Sequence, residues 1–344
     1  MSDFTSAMSD IVLNRRYTIE NRRYIGSKVR LVPNIFAAIP EELKSGHFLD
    51  IFGGTGVVSA QALQIFKKVT INDHLYSNEI IYKAFFGKGR FSETTLNRFI
   101  EEIHNLCYSE SHYFVREFGN RYFSIADAGT IGGIRDMIEM QRPKLTEREY
   151  CILLASLIYS ADRSARTVGH YEAFLRSAPV KNSFNFRLVK PFGGRHADIY
   201  REDANSLAKQ VSSDVAYIDP PYNSRQYSRF YHVLETLTKW TKPKLSGVAR
   251  KPPTENSSDY CKQAAPTAFA DLISSLNTSL IVVSYNNTYE SKSGSSQNKI
   301  SLEFIQDTLK TRGRVKVKSF EIGHFNAGKS SLPNHREYIF TCKV

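Results

Sequence analysis

The first ordered pattern of apolar and polar positions runs over residues 46–86. Residues 47–52 (HFLDIF) form a short apolar run that predicts a buried strand. GGTG follows as a tight turn, VVSAQALQIF as a helix, and residues 68–73 (KVTIND) as a second strand. Strand, glycine turn, helix and strand make a βαβ half-unit whose crossover is expected to be right-handed. The pattern changes over residues 87–191. Leu96, Phe99, Ile100 and Ile103 fall at i, i+3, i+4 and i+7, which predicts an amphipathic helix. Residues 150–158 (YCILLASLI) are apolar on nearly every side and read as a buried helix. Strand alternation is missing from this stretch, so it reads as a helical insertion. Strands resume at residues 198–203, 215–219 and 280–284. Two last strands, 315–322 and 336–343, are expected to pair antiparallel across a short loop. The Lys-, Pro- and Ser-rich residues 239–266 read as a mobile surface loop.

The fold class expected is therefore α/β, with helices on both faces of a mainly parallel sheet and a terminal antiparallel hairpin. Residues 1–86 and 192–344 would form the catalytic domain, with residues 87–191 inserted into it. The 344 residues suffice for one such domain plus an insertion. No apolar run approaches the length needed to span a bilayer. MSDFTSAMSD has neither a basic n-region nor an apolar h-region, so a signal peptide is not expected there. Cys107, Cys151, Cys261 and Cys342 lack CxxC spacing and nearby histidines. They read as free thiols of a reducing, cytoplasmic compartment, with no disulfide frame and no zinc site. Forty-six Lys and Arg against 34 Asp and Glu give a net charge of +12. Such a surface favours a polyanionic partner, because neutralised phosphates release counterions.

Chemistry concentrates at two turns. Asp50, Gly53, Gly54 and Gly56 stand where a strand ends and a helix begins. Glycines there let the backbone approach a ligand, and the helix start offers free N–H groups. Asp73 ends the next strand, where a carboxylate can accept from ribose hydroxyls. Together they indicate a nucleoside-containing cofactor. Asp219, Pro220, Pro221 and Tyr222 follow a second apolar strand. An aromatic amine is a poor nucleophile because its lone pair is delocalised into the ring. A carboxylate and a backbone carbonyl can hold its two N–H bonds and draw the nitrogen toward tetrahedral geometry. Two prolines stiffen the turn and remove competing donors. Tyr222 offers a ring on which a purine can stack.

With these residues the chain resembles the Dam-like, alpha-class adenine-specific DNA methyltransferases, and especially the methylases of restriction–modification systems. The resemblance is carried by RYIGSK (Arg23 to Lys28), FLDIFGGTG, IND with Asp73, Glu202-Asp203-Ala204, DPPYNSRQY, and SYN at Ser284 to Asn286, in that order. It implies a Rossmann-like sheet binding S-adenosylmethionine as methyl donor, no metal, and double-stranded DNA as substrate. Tyr24 and Lys28 would line the methionine end of the cofactor, with the lysine ammonium on its carboxylate. Asp73 would hold the ribose and Asp203 the cofactor's adenine amino group. Asp219 and the Pro220 carbonyl would hold the target N6, with Tyr222 stacked on a base flipped from the duplex. The insertion would be the target-recognition region. Nucleoid association and a separately acting cognate endonuclease also follow from the resemblance. Tyr24 stands where such enzymes often carry Trp, which keeps an aromatic face.

Within the insertion, Arg163, Arg166, His170 and Tyr171 form a basic and aromatic cluster after the buried helix, suited to DNA. Arg225, in the DPPYNSRQY segment, is a further DNA-contact candidate. Lys239, Lys242, Lys244, Arg250 and Lys251 of the later loop are candidates to close over DNA. Gly323 to Ser330 satisfies GxxxxGKS, but a strand-like segment follows Pro333 where a phosphate loop needs a helix. It reads as the loop of the terminal hairpin. Methylation at cytosine C5 needs a Pro-Cys nucleophile, which the chain lacks. Cytosine N4 enzymes usually carry Ser in place of Asp219, and RNA or protein-glutamine methylases tend to carry Asn. A non-catalytic DNA-binding module would explain the charge and the insertion, but not a cofactor turn together with DPPY.

Overall fold

The computed structural model describes residues 16–175, 182–222, 224–287, 299–321 and 336–344. The first residues and the GxxxxGKS segment lie outside these, and the expectations attached to them are left there. The chain divides into two compact units. One comprises residues 26–79, 195–230 and 254–344, the other residues 1–25, 80–194 and 231–253.

The first unit carries a seven-stranded sheet. Its strands are β1 (His47–Asp50), β2 (Lys68–Asn72), β3 (Asp198–Tyr200), β4 (Ser212–Ile218), β5 (Asn277–Asn286), β6 (Arg314–Glu321) and β7 (Arg336–Lys343). Their order is β3-β2-β1-β4-β5-β7-β6. The five strands from β3 to β5 are parallel, whereas β7 runs antiparallel to both β5 and β6. The mixed α/β sheet and the antiparallel pairing of the last two strands agree with the sequence reading. Period-2 patterning sets the faces. Leu49 and Ile51, Ala216 and Ile218, and Ile281 and Val283 point to one side. There they pack on Phe269, Leu272 and Ile273 of the helix Ala265–Ser275 and on Ile305 and Leu309 of the helix Leu302–Lys310. The connection order reverses between β1 and β4, and open α/β sheets take ligands at the carboxyl ends of the strands that flank such a reversal.

The second unit is built on helices Glu93–Ile103, Tyr113–Phe118, Ile125–Gln141, Glu147–Ser164 and His232–Lys239. Glu93–Ile103 buries Leu96 and Phe99, the inner positions of the expected stripe. Glu147–Ser164 is buried along almost its whole length and opens with a capping box between Thr146 and Glu149. Besides residues 80–86 and 192–194 at the expected boundaries, this unit takes in two longer segments that the sequence reading gave to the catalytic domain. Residues 16–25 join it because Tyr17 pairs with Leu188 and Lys190 through backbone bonds, and Tyr159 donates to the Ile19 carbonyl. Residues 231–253 join it because the helix His232–Lys239 is buried on nearly every side. The fully buried Arg135 donates to the Leu237 and Thr238 carbonyls at 2.7 and 3.0 Å, satisfying the end of that helix.

The segment read as a mobile surface loop is tied down instead. Trp240 donates to Asp136 at 2.7 Å, and Lys242 and Lys251 pair with Asp136 and Glu172. Arg250 Nε donates to Glu117 at 2.7 Å. Tyr260 and Cys261 are buried in the sheet unit. Three of the five cations expected to close over DNA thus have acidic partners within the helical unit. Among the described residues, no helix is long and apolar enough to cross a membrane.

Candidate active site

The site grows from the carboxyl ends of β1, β2 and β4. After Asp50 the chain turns through Gly54 and Gly56, at φ 53° and 82°, conformations in which a Cβ is strained. Gly56 caps the helix Val57–Ile65. The turn is braced from β2. Asp73 accepts from the Gly54 N–H and, through its other oxygen, from the Leu75 N–H, both at 2.9 Å. Gly53 N–H donates to the Asn72 carbonyl at 2.7 Å. The buried Asn72 side chain donates to the Ile51 and Glu202 carbonyls at 3.1 Å and accepts from the Glu202 N–H, so one amide pins the ends of three strands. Sequence reasoning passed over Asn72; a buried amide between an apolar strand and Asp73 was its only signal.

Asp50 is completely buried and accepts from Ser59 through Oδ2 at 2.7 Å. Its Oδ1 has no donor among the described residues. Burial pushes its carboxyl up to about 7, against the Ser59 hydrogen bond. An acid raised in this way is less protonated in the unfolded chain, so folding loses stability as pH rises from about 4 toward 7. Asp50→Asn is therefore expected to raise thermal stability at pH 8, by roughly 1–4 kcal/mol, and to change it little at pH 4. Thermal scans at the two pH values measure this, and equal effects at both would refute the assignment. An orphaned carboxylate oxygen beside a glycine turn, with Asp73 at the neighbouring strand end, fits a ligand with a cationic amino acid end and a ribose. S-adenosylmethionine has both.

Asp203 takes a local role. Its Oδ1 accepts from the Ser206 N–H at 3.0 Å as cap of the helix Ala204–Ala208, and the side chain remains exposed beyond β3.

Asp219 follows β4 and is the most crowded acceptor of the site. Lys28 Nζ lies 3.1 Å from its Oδ2, with the Lys28 side chain 5% exposed and that of Asp219 16%. Its Oδ1 accepts from the Ser284 hydroxyl at 2.9 Å and from the Tyr222 hydroxyl. Burial pushes the Asp219 carboxyl up; Lys28 and Tyr222 oppose this and Glu337 adds to it. Burial pushes the Lys28 ammonium down, but Asp219 and Glu337 prevail and hold it above the usual lysine range. The sequence reading aimed Lys28 at the cofactor. The structure aims it at Asp219, with a second bond to the Gly26 carbonyl at 3.0 Å and the Tyr222 ring 4.8 Å away. Tyr222 is itself buried, packed edge-on against Tyr285 at 4.8 Å.

RYIGSK is divided between the units, with Gly26 at φ 83° beginning the sheet unit. Tyr24 belongs to the helical unit and stacks on Tyr231 at 4.7 Å and 6°. In the same unit Arg163 is exposed, Arg166 donates to the Leu175 carbonyl at 2.6 Å, and His170 accepts from the Glu172 N–H. Tyr171 departs from the expected DNA-facing cluster. It is fully buried and donates to Asp162 Oδ1 at 3.0 Å, a partner that its neighbours in sequence do not reveal. Arg225 lies in the sheet unit, its guanidinium 5.6 Å from the Phe230 ring centroid.

Comparison with known proteins adds the family. A family model described as D12 class N6 adenine-specific DNA methyltransferase matches residues 24–293. The type II methyltransferase M.FokI of Planomicrobium okeanokoites is 34% identical over 92% of this chain and 52% of its own length. The modification methylase StsI of Streptococcus sanguinis is 35% identical over 77% of this chain and 44% of its own. The chain thus spans about half the length of these two relatives. The type II methyltransferase M.NlaIII of Neisseria lactamica is 28% identical over 91% of this chain and 95% of its own length.

Proposed function

Because the chain belongs to the D12 class N6 adenine-specific DNA methyltransferases, we propose that it methylates adenine N6 at a specific site in double-stranded DNA, as the modification activity of a restriction–modification system. The observation that carries this reading is the ion-paired Asp219 at the carboxyl end of β4, next to the braced glycine turn of β1. Asp50, Gly53, Gly54, Gly56 and Asp73 would hold S-adenosylmethionine, with Asp203 at the edge of that site. When bound, the cofactor supplies an electrophilic methyl group on a sulfonium for direct transfer.

The chain's own residues prepare the acceptor. Lys28 keeps Asp219 an anion, so its oxygens accept hydrogen bonds and donate none. Asp219 and the Pro220 carbonyl take the two N6–H bonds and draw the nitrogen lone pair out of the ring; once N6 carries the methyl group, its surplus proton leaves to solvent or through Asp219. The Tyr222 hydroxyl now occupies Oδ1. In our reading the entering amine replaces it, and the released ring turns a face to the flipped base. Pro220 and Pro221 bring no N–H to compete for these acceptors. The helical unit would read the target sequence, with Arg163, Arg166 and His170 on the duplex and Arg225 beside the catalytic turn. A cognate endonuclease would act as a separate protein on the same DNA.

Incubation of DNA with the protein and S-adenosylmethionine, followed by methylation-sensitive long-read sequencing, tests this directly. N6-methyladenine at one recurring sequence is expected. N4-methylcytosine at that position would overturn the choice of base. No methylation together with no cofactor binding would leave a DNA-binding module.

A further inference from the structure

Behind Asp219 lies a short chain of hydroxyls that the proposed mechanism does not use. Tyr217 and Ser284 are fully buried, on β4 and β5. Tyr217 Oη stands 2.7 Å from Ser284 Oγ, and Ser284 Oγ stands 2.9 Å from Asp219 Oδ1. The strand register makes this possible. Tyr217 is paired with Val282 and Ile218 with Val283. Ser284 therefore stands one residue past the pair nearest the catalytic turn, on the same sheet face as Val282 and Tyr217.

We propose that Ser284 and Tyr217 are positioning residues which fix the orientation of Asp219 and hold it as an anion for the target amine. The inference rests on the reading of Asp219 as the N6 acceptor. An ionised carboxylate only accepts, so the Ser284 hydroxyl must donate to it. The remaining lone pairs of Ser284 Oγ then receive the Tyr217 hydroxyl. Burial, and then Asp219, hold the Tyr217 hydroxyl well above its ordinary range, so it stays a donor. Both hydroxyls thus point their protons toward Asp219. The relay stabilises negative charge there and does not carry a proton away.

Geometry gives the relay a second effect. Lys28 fixes one carboxylate oxygen and Ser284 the other. With both ends held, the plane of the carboxylate is set before a base arrives, and the Tyr222 hydroxyl can leave without releasing the side chain. The groups around Asp219 come from every neighbouring element. They are Lys28 before the first strand, Asp50 on β1, Tyr217 on β4, Tyr222 in the turn, Ser284 on β5 and Glu337 on β7. Of these, Ser284 is the hydroxyl donor whose removal leaves charge and ring packing in place.

The test is the pH profile of single-turnover methyl transfer in Ser284→Ala, Ser284→Thr and Tyr217→Phe, with Asp219→Ala alongside. Loss of a buried hydrogen bond to the anion should slow Ser284→Ala transfer about tenfold or more. It should also move the acid limb to higher pH, since the protonated carboxyl gains relative to the anion. Binding of S-adenosylmethionine should stay at its wild-type value. Ser284→Thr should restore the limb, and Tyr217→Phe should shift it in the same direction by less. A wild-type rate and limb in Ser284→Ala would overturn the inference. If that variant does not fold, an unmoved limb in Tyr217→Phe overturns it instead. Retained transfer in Asp219→Ala would sink the underlying reading, a result distinguishable from either.

Discussion

Asp219→Ala is expected to lower the rate of methyl transfer by at least about a thousandfold while cofactor affinity stays within a few-fold of wild type. The separation follows from placement. The groups proposed to hold the cofactor stand on the glycine turn after β1 and at the ends of β2 and β3, whereas Asp219 stands at the end of β4. Under the proposed mechanism, removing it takes away the acceptor that opposes delocalisation of the amine lone pair and leaves the glycine turn intact. Single-turnover transfer and calorimetric titration with S-adenosylmethionine read the two quantities separately. Transfer within tenfold of wild type would discard Asp219 as the acceptor. Cofactor binding lost along with transfer would mean that the turn does not fold independently of this side chain.

Lys28→Met should have the second largest effect, and on two properties at once. It leaves a nearly buried anion with no counter-charge, for which the expected cost is about 3–5 kcal/mol of stability at pH 8. The sign of its pH dependence is fixed by Asp219. Without Lys28 the Asp219 carboxyl, already raised by burial, rises further. The folded chain then takes up a proton that the unfolded chain does not, and the penalty shrinks as pH falls toward 5. Lys28 itself, held above the usual lysine range, contributes stability at every pH below that range and loses it only in strong alkali. Adding Asp219→Asn should recover most of the lost stability at pH 8, because the pair is then removed as a unit, whereas transfer should remain absent in both variants. Chemical denaturation of the two single variants and the double variant closes the cycle. Additive losses would show that Lys28 and Asp219 do not interact as the 3.1 Å contact implies.

The sheet and the turn proposed for catalysis were legible because their signals are local. HFLDIF, GGTG and KVTIND are contiguous, and an apolar strand running into DPPY declares itself within eight residues of sequence. The partner of Lys28 was not legible, because it lies beyond the whole helical insertion and nothing in RYIGSK states which anion the ammonium meets. The burial of Tyr171 was hidden for the same reason. A basic and aromatic run looks like a DNA-facing surface until Asp162, on the preceding helix, is seen to take its hydroxyl. Residues 239–266 misled through composition. Proline, serine and lysine suggest a solvated loop, yet Trp240, Lys242, Arg250 and Lys251 each find an acidic or carbonyl partner once the helices pack. Asp203 shows the converse. Its place after the third strand suits a cofactor role, while a turn of helix begins there and claims one of its oxygens first.

The position of β7 has a consequence for the order in which the chain can be assembled. β6 is made before β7 but does not pair with β5; the last strand enters between them. As the polypeptide emerges from the ribosome, β5 has β4 beside it and a bare outer edge, and β6 has no sheet to join. Both wait for β7, which must reach over its whole length into the gap from Asn286↔Glu337 to Leu280↔Lys343. Such late, non-local closure slows folding and prolongs exposure of unpaired strand edges. Loss of β7 would accordingly remove an interior strand, cutting β6 off from the remaining five and not merely shortening the sheet.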